Sequence, residues 1–141
     1  MPIMDSSNVE PAQLAKVVDG KSDAEINKAF EGKYEQVCSQ IGEAMKVRFV
    51  PQNAAGQTAV IQYDITAPDG VHTFQLKVAD GKCDLLPGKT EPARVTLAFA
   101  FPDLLRFVAG KLDGMQAFFT GKLKLSGDVV FAQAVQKWFA R

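Results

Sequence analysis

At 141 residues, with 47% hydrophobic and 23% charged side chains, the chain has the size and composition of one folded domain whose core needs no disulfide or metal staple. Sixteen basic residues balance sixteen acidic ones, so no net field gathers nucleic-acid phosphates or anionic lipid from a distance, no nucleic-acid partner is expected, and only a local basic face is left open. The opening Met-Pro-Ile-Met-Asp-Ser-Ser lacks the basic and apolar stretches of a secretory signal, and no run approaches 18 apolar residues. A cytoplasmic protein with no integral membrane segment is therefore expected, and Phe139-Ala140-Arg141 is not the Ser-Lys-Leu type of peroxisomal address.

Pro11 to Val18 reads as a short helix, and Ser22-Asp23-Ala24-Glu25 as a capping box opening a second one that ends near Phe30. Tyr34, Val37, Cys38, Ile41, Met45 and Phe49 recur at spacings of three and four, one apolar stripe on a longer helix that Pro51 stops. Gly42 within it costs about 1 kcal/mol against alanine, so a close neighbour is expected there. Asn53 to Gly56 reads as a loop, after which the period changes to two. Ala59, Ile61, Tyr63 and Ile65 form the buried face of a strand, and Ala67-Pro68-Asp69-Gly70 turns it into a second. There His72, Phe74, Leu76 and Val78 oppose Thr73, Gln75 and Lys77; Asp80-Gly81 then leads into a third strand, Cys83 to Leu86, completing an antiparallel meander.

A polar loop, Pro87 to Pro92, precedes a strand in which Val95, Leu97, Phe99 and Phe101 share a face. Pro102 opens a helix that Gly110 ends. Met115, Phe118 and Phe119 lie on one side of a helical turn or two closed by Gly121, Leu123 and Leu125 point inward from a short strand, and Gly127-Asp128 caps a last helix bearing Phe131, Ala134, Val135 and Trp138. Neighbours on a helix stand about 100° apart, so one of Phe118 and Phe119 is expected in the sheet core and the other on a cavity wall.

Chemistry-bearing residues are sparse. His72 is the only histidine and has no Ser or Cys motif to partner it, so no catalytic residue is assigned. No CxxC or HxxxH spacing points to a metal, no phosphate loop is present, and neither metal nor cofactor is expected. Cys38 and Cys83 sit inside apolar patterns and read as reduced, unpaired packing residues.

The strand Val95-Thr96-Leu97, the helix start Pro102-Asp103-Leu104, Gly110-Lys111, the run from Gln116 to Lys124 and Gly127-Asp128 follow one another in an order and spacing that resembles the sterol carrier protein 2 family. The likeness covers residues 33–139 and is strongest in the final third; Gly114-Met115 stands where the family commonly has Asn-Pro. It implies an α+β fold, a largely antiparallel five-stranded sheet covered by helices around an apolar cavity. Residues 1–32 then form an N-terminal helical extension and residues 33–141 the lipid-binding domain.

It further implies non-catalytic binding, and transfer or presentation, of a fatty acid, acyl-CoA or sterol-like ligand. The cavity or portal residues would be Phe107, Leu112, Met115, Gln116, Phe118, Phe119, Leu123, Val130, Ala134 and Trp138. The alternative is an accessory or oligomerisation domain serving a lipid-modifying or quinone-making enzyme, with a homodimer or enzyme partner engaged through residues 1–32.

Overall fold

The computed structural model describes residues 11–54 and 56–138. It opens with α1 (Pro11–Val18), α2 (Asp23–Ala29) and α3 (Tyr34–Val47). The capping box is present: Ser22 Oγ accepts from the Glu25 amide at 3.2 Å, and the Glu25 carboxylate accepts from the Ser22 amide at 3.1 Å. On α3 the apolar stripe faces inward, with Tyr34, Val37, Cys38 and Ile41 buried and Met45 packed at the margin beside Phe49, just past the helix end. Pro51 does not lead straight into a loop. It starts the single turn α4 (Pro51–Ala54), as a residue with preset φ and no amide hydrogen does well at a helix start.

Five strands follow, β1 (Ala59–Ala67), β2 (Gly70–Ala79), β3 (Lys82–Pro87), β4 (Val95–Ala100) and β5 (Leu123–Gly127), in the order β3-β2-β1-β4-β5. The first three form the antiparallel meander, with Tyr63 opposite Phe74 and Val78 opposite Cys83. The chain then crosses from the β3 edge to the far side of β1, where β4 pairs parallel to it, Ile61 beside Val95; β5 closes the sheet antiparallel to β4. The sheet is thus mixed, three antiparallel pairings and one parallel.

The remaining helices are α5 (Phe101–Val108), α6 (Gly114–Phe119) and α7 (Val129–Val135), the last running into a 3₁₀ turn, Gln136–Trp138. Phe101, expected as the last inward residue of β4, instead begins α5. Its fully buried ring meets Phe30 at 5.5 Å and Tyr34 at 5.0 Å, both edge-on. Helix α3 lies on β2 and β3, close enough that a Cβ on Gly42 would stand 2.7 Å from Leu85 Cδ1. Helices α1 and α2 lie on α5, so Leu14, Val18, Ile26 and Phe30 join the same core as the sheet. The Arg106 guanidinium fastens that layer, donating to Asp23, to Asp103 at 2.9 Å and to the Lys21 carbonyl at 3.1 Å.

One strand face departs from the alternating pattern. Only one side of β1 and β2 was expected to be buried, yet Val60, Gln62 and Gln75 on the opposite side are buried too. The segment 88–93 folds over that side and Gln75 holds it: Nε2 donates to the Glu91 carbonyl at 2.7 Å and to Gln62 Oε1 at 3.0 Å, while Oε1 accepts from the Thr90 amide and hydroxyl and the Glu91 amide at 3.1–3.3 Å. A glutamine with every polar atom engaged is buried at little cost, whereas each orphaned group costs about 1–3 kcal/mol.

Candidate functional site

The last third of the chain turns at glycines and anchors at carboxylates. Gly110, Gly121 and Gly127 take φ of 78°, 80° and 89°, a left-handed backbone that side chains disfavour. At Gly127 a Cβ would also stand 2.5 Å from the Arg94 carbonyl oxygen. Asp113 caps α6 by accepting from the Gln116 amide at 3.1 Å, and Asp128 caps α7 by accepting from the Phe131 amide at 2.9 Å. That amide and the nearby Arg94 guanidinium, 3.3 Å away, hold the Asp128 carboxyl below its ordinary range. Arg94 in turn lies over the Phe131 ring, 3.9 Å from its centroid.

Four of the ten residues implied by the resemblance are drawn into or against the core. Leu112, Leu123 and Trp138 are buried in the core, and the half-buried Phe107 sets its ring 5.2 Å from that of Phe99. Trp138 meets Phe131 edge-on at 5.2 Å, and its carbonyl accepts from the Val50 amide at 2.6 Å, tying the 3₁₀ turn to α4. The other six, Met115, Gln116, Phe118, Phe119, Val130 and Ala134, lie at the surface.

Within α6 the usual arrangement is inverted. Gly114 and Ala117 face in, while Met115, Phe118 and Phe119 are 46%, 39% and 77% exposed, with the two phenylalanine rings 5.8 Å apart. The expectation that one of these phenylalanines enters the sheet core is therefore corrected. The small Ala117 takes the inward position and lets α6 sit close on β5. At the other end of β5, Val130 is 79% exposed.

His72 lies elsewhere, in a groove of about 520 Å³ between α3 and the β2–β3 strands, lined by Cys38, Ser39, Phe74 and Leu85 with Glu35 and Glu43. Its Nε2 is 2.8 Å from Asp69 Oδ1, a link within the β1–β2 hairpin. Burial pushes the Cys38 thiol up to about 12 and the Cys83 thiol up to about 11, so both stay protonated at neutral pH and are poor nucleophiles there. Among the described residues, no group of three or more His, Cys, Asp and Glu side chains is gathered to hold a metal ion, and no helix is long and apolar enough to cross a membrane. Sequence reasoning missed the Gln75 clasp; Val60, an apolar side chain on the supposed solvent face of β1, was the available signal.

The family model described as the SCP-2 sterol transfer family matches residues 39–140, which takes in the sheet and both groups of candidate residues. The chain belongs to that family. Sterol carrier protein 2 of Bos taurus is 33% identical over 134 residues, 91% of this chain and 22% of the relative. The chain thus spans about a fifth of the length of the curated relatives it matches. Among solved structures, palmitated SCP2L2 from Aedes aegypti superimposes with a TM-score of 0.58 at 26% identity, covering 67% of this chain and 86% of that one. The sec-alkylsulfatase Pisa1 from Pseudomonas sp. shares the fold with a TM-score of 0.63 at 22% identity, over 72% of this chain and 16% of its own.

Proposed function

We propose that the chain binds a lipid with a long acyl chain or sterol-like body, and carries or presents it, at the end built by α5, α6, β5 and α7, without covalent chemistry. One observation carries this reading beyond family membership. Of the seven large apolar side chains exposed among the described residues, Val47, Val71, Met115, Phe118, Phe119, Val129 and Val130, three share the six-residue helix α6. Exposed apolar surface concentrated in this way marks a binding region. On this reading Phe107, Leu112, Leu123 and Trp138, which lie in or against the core, meet the acyl chain, and the exposed Gln116 amide is the polar group available for a headgroup. The palmitated state of the Aedes aegypti structure supports an acyl chain as one class of cargo.

The energetics need no catalytic group. Burying a sixteen-carbon tail yields roughly 12 kcal/mol at about 0.8 kcal/mol per methylene. Association and ligand ordering cost about 4–10 kcal/mol or more, which leaves affinities from millimolar to submicromolar. Apolar contact of this kind is permissive among lipids of similar girth. An environment-sensitive fluorescent fatty acid should give a saturable signal that unlabelled long-chain fatty acid or acyl-CoA displaces. Absence of saturation at tens of micromolar ligand, with the protein folded, would refute the reading.

A further inference from the structure

The groove beside α3 combines an apolar base with a wall of one charge. Cys38, Phe74 and Leu85 form its base, Val71, 62% exposed, stands at its mouth, and its volume of about 520 Å³ falls within the range of about 300–1,000 Å³ usual for small-molecule sites. Along α3 the exposed row Glu35, Ser39 and Glu43, spaced i, i+4 and i+8, forms one wall, about 12 Å long at 1.5 Å rise per residue. Among the described residues, none that line the groove is a lysine or an arginine. His72 is the one basic side chain there, and its Nε2 lies 2.8 Å from Asp69, a third carboxylate beside the groove. Glu43 reaches Lys46 only at 4.0 Å, along the same helix, and among the described residues Glu35 forms no ion pair. The carboxylates are felt at the base: burial raises the Cys38 thiol most, and the negative charges of Asp69 and Glu35 raise it further.

From this juxtaposition of apolar base and carboxylate wall we propose that the groove binds an organic cation of small-molecule size, an amine or quaternary ammonium on an aromatic or short aliphatic body. The ammonium meets Glu35 or Glu43 at the rim, and the body lies on Phe74, Leu85 and Val71. Apolar contact supplies the attraction and the carboxylates set the preference. Each exposed ion pair contributes little, so binding is weak and discrimination by charge is its signature. A fatty acid, whose own carboxylate these side chains repel, is not a ligand of this groove. A basic peptide is the less favoured occupant, because 12 Å of groove holds only about three or four extended residues. The site lies apart from the end assigned to lipid, and the inference does not rest on that assignment.

The test is a titration of the isotope-labelled full chain, at low salt, with phenylbutylamine, phenylbutanol and phenylbutyrate, three probes alike in shape and different in charge. The amine should shift the amides of Cys38, His72 and Leu85 saturably, the alcohol should need about fivefold higher concentration, and the carboxylate should leave them unmoved. The double variant Glu35→Gln with Glu43→Gln should weaken the amine by about fivefold and bring it level with the alcohol. Ser39→Trp, whose indole occupies the groove, should abolish binding of both. Both variants should bind the fluorescent fatty acid as the wild type does, which separates failure of this site from failure of the lipid reading. Equal shifts from all three probes, shifts centred on Leu112 and Leu123 instead, no saturable shift, or a glutamine variant that binds the amine as the wild type does, would each overturn the proposal.

Discussion

The two ends of the sheet use apolar side chains in opposite ways. Where α3 lies on β2 and β3, helix and strands approach so closely that one added methyl at Gly42 would displace Leu85, and the reverse side of the same strands is covered by a loop that a glutamine holds with five hydrogen bonds. Where α6 lies on β5, glycine and alanine face inward and phenylalanine faces out. The first arrangement maximises packing. The second gives up burial that the sequence had the side chains to make, which a marginally stable domain tolerates because the filled end supplies the cohesion. Under the proposed function, stability and ligand contact fall to different regions, and substitutions in each should report on different properties.

The largest contrast should come from two phenylalanines. Phe101→Ala removes a fully buried ring packed on Phe30 and Tyr34 and should cost about 3–5 kcal/mol, lowering the melting temperature steeply, whereas Phe119→Ala should cost less than about 1 kcal/mol. Equal losses by thermal or urea unfolding would erase the distinction between a filled end and an open one. Next, Gly42→Ala brings a Cβ to 2.7 Å from Leu85 Cδ1, and because Leu85 borders the groove its side chain can turn aside, so the change should cost less than about 1 kcal/mol with no effect on fatty-acid affinity; a loss of about 3 kcal/mol by urea unfolding would show that Leu85 has no room to move.

A smaller effect belongs to the α7 cap. Because the Phe131 amide and Arg94 hold the Asp128 carboxyl below the ordinary aspartate range, its contribution is present above that range and is lost as pH falls through the lower folded value. Asp128→Ala should therefore lower the melting temperature at neutral pH, and the gap to the wild type should close in strong acid. A gap that persists unchanged there would remove the charge from the account.

The smallest effect concerns the thiols, both raised by burial. Their neutral form is favoured by the fold, so stability from this source is intact below the ordinary thiol range near 9 and declines above it toward 11 and 12. At pH 8 neither Cys38 nor Cys83 should react with a thiol reagent on the minute scale, while both react in denaturant. Rapid native labelling, or an intramolecular disulfide in the isolated protein, would contradict their buried, unpaired state.

Much of the fold was legible because its signals are local. The Ser22–Glu25 capping box, the α3 stripe, the close contact at Gly42 and the hairpin at Asp80-Gly81, where both residues take positive φ, follow from a few neighbouring side chains. What escaped depends on residues distant in sequence. The parallel pairing of β4 with β1 joins segments some 34 positions apart, Ile61 to Val95, and the burial of Gln75 depends on a loop 15 residues on. The orientation of α6 is the sharpest case. A Met-x-x-Phe-Phe pattern reads equally well as a face turned in or out, and only the fit of Ala117 against β5 decides it.

Where the cargo sits can be measured directly by titrating a spin-labelled fatty acid into isotope-labelled protein and following the loss of amide signals. The account predicts saturable broadening centred on Phe107, Leu112, Ala117 and Leu123, with the amides of Cys38, His72 and Leu85 in the groove beside α3 retained. Broadening centred on that groove, or none at saturating ligand, would contradict it.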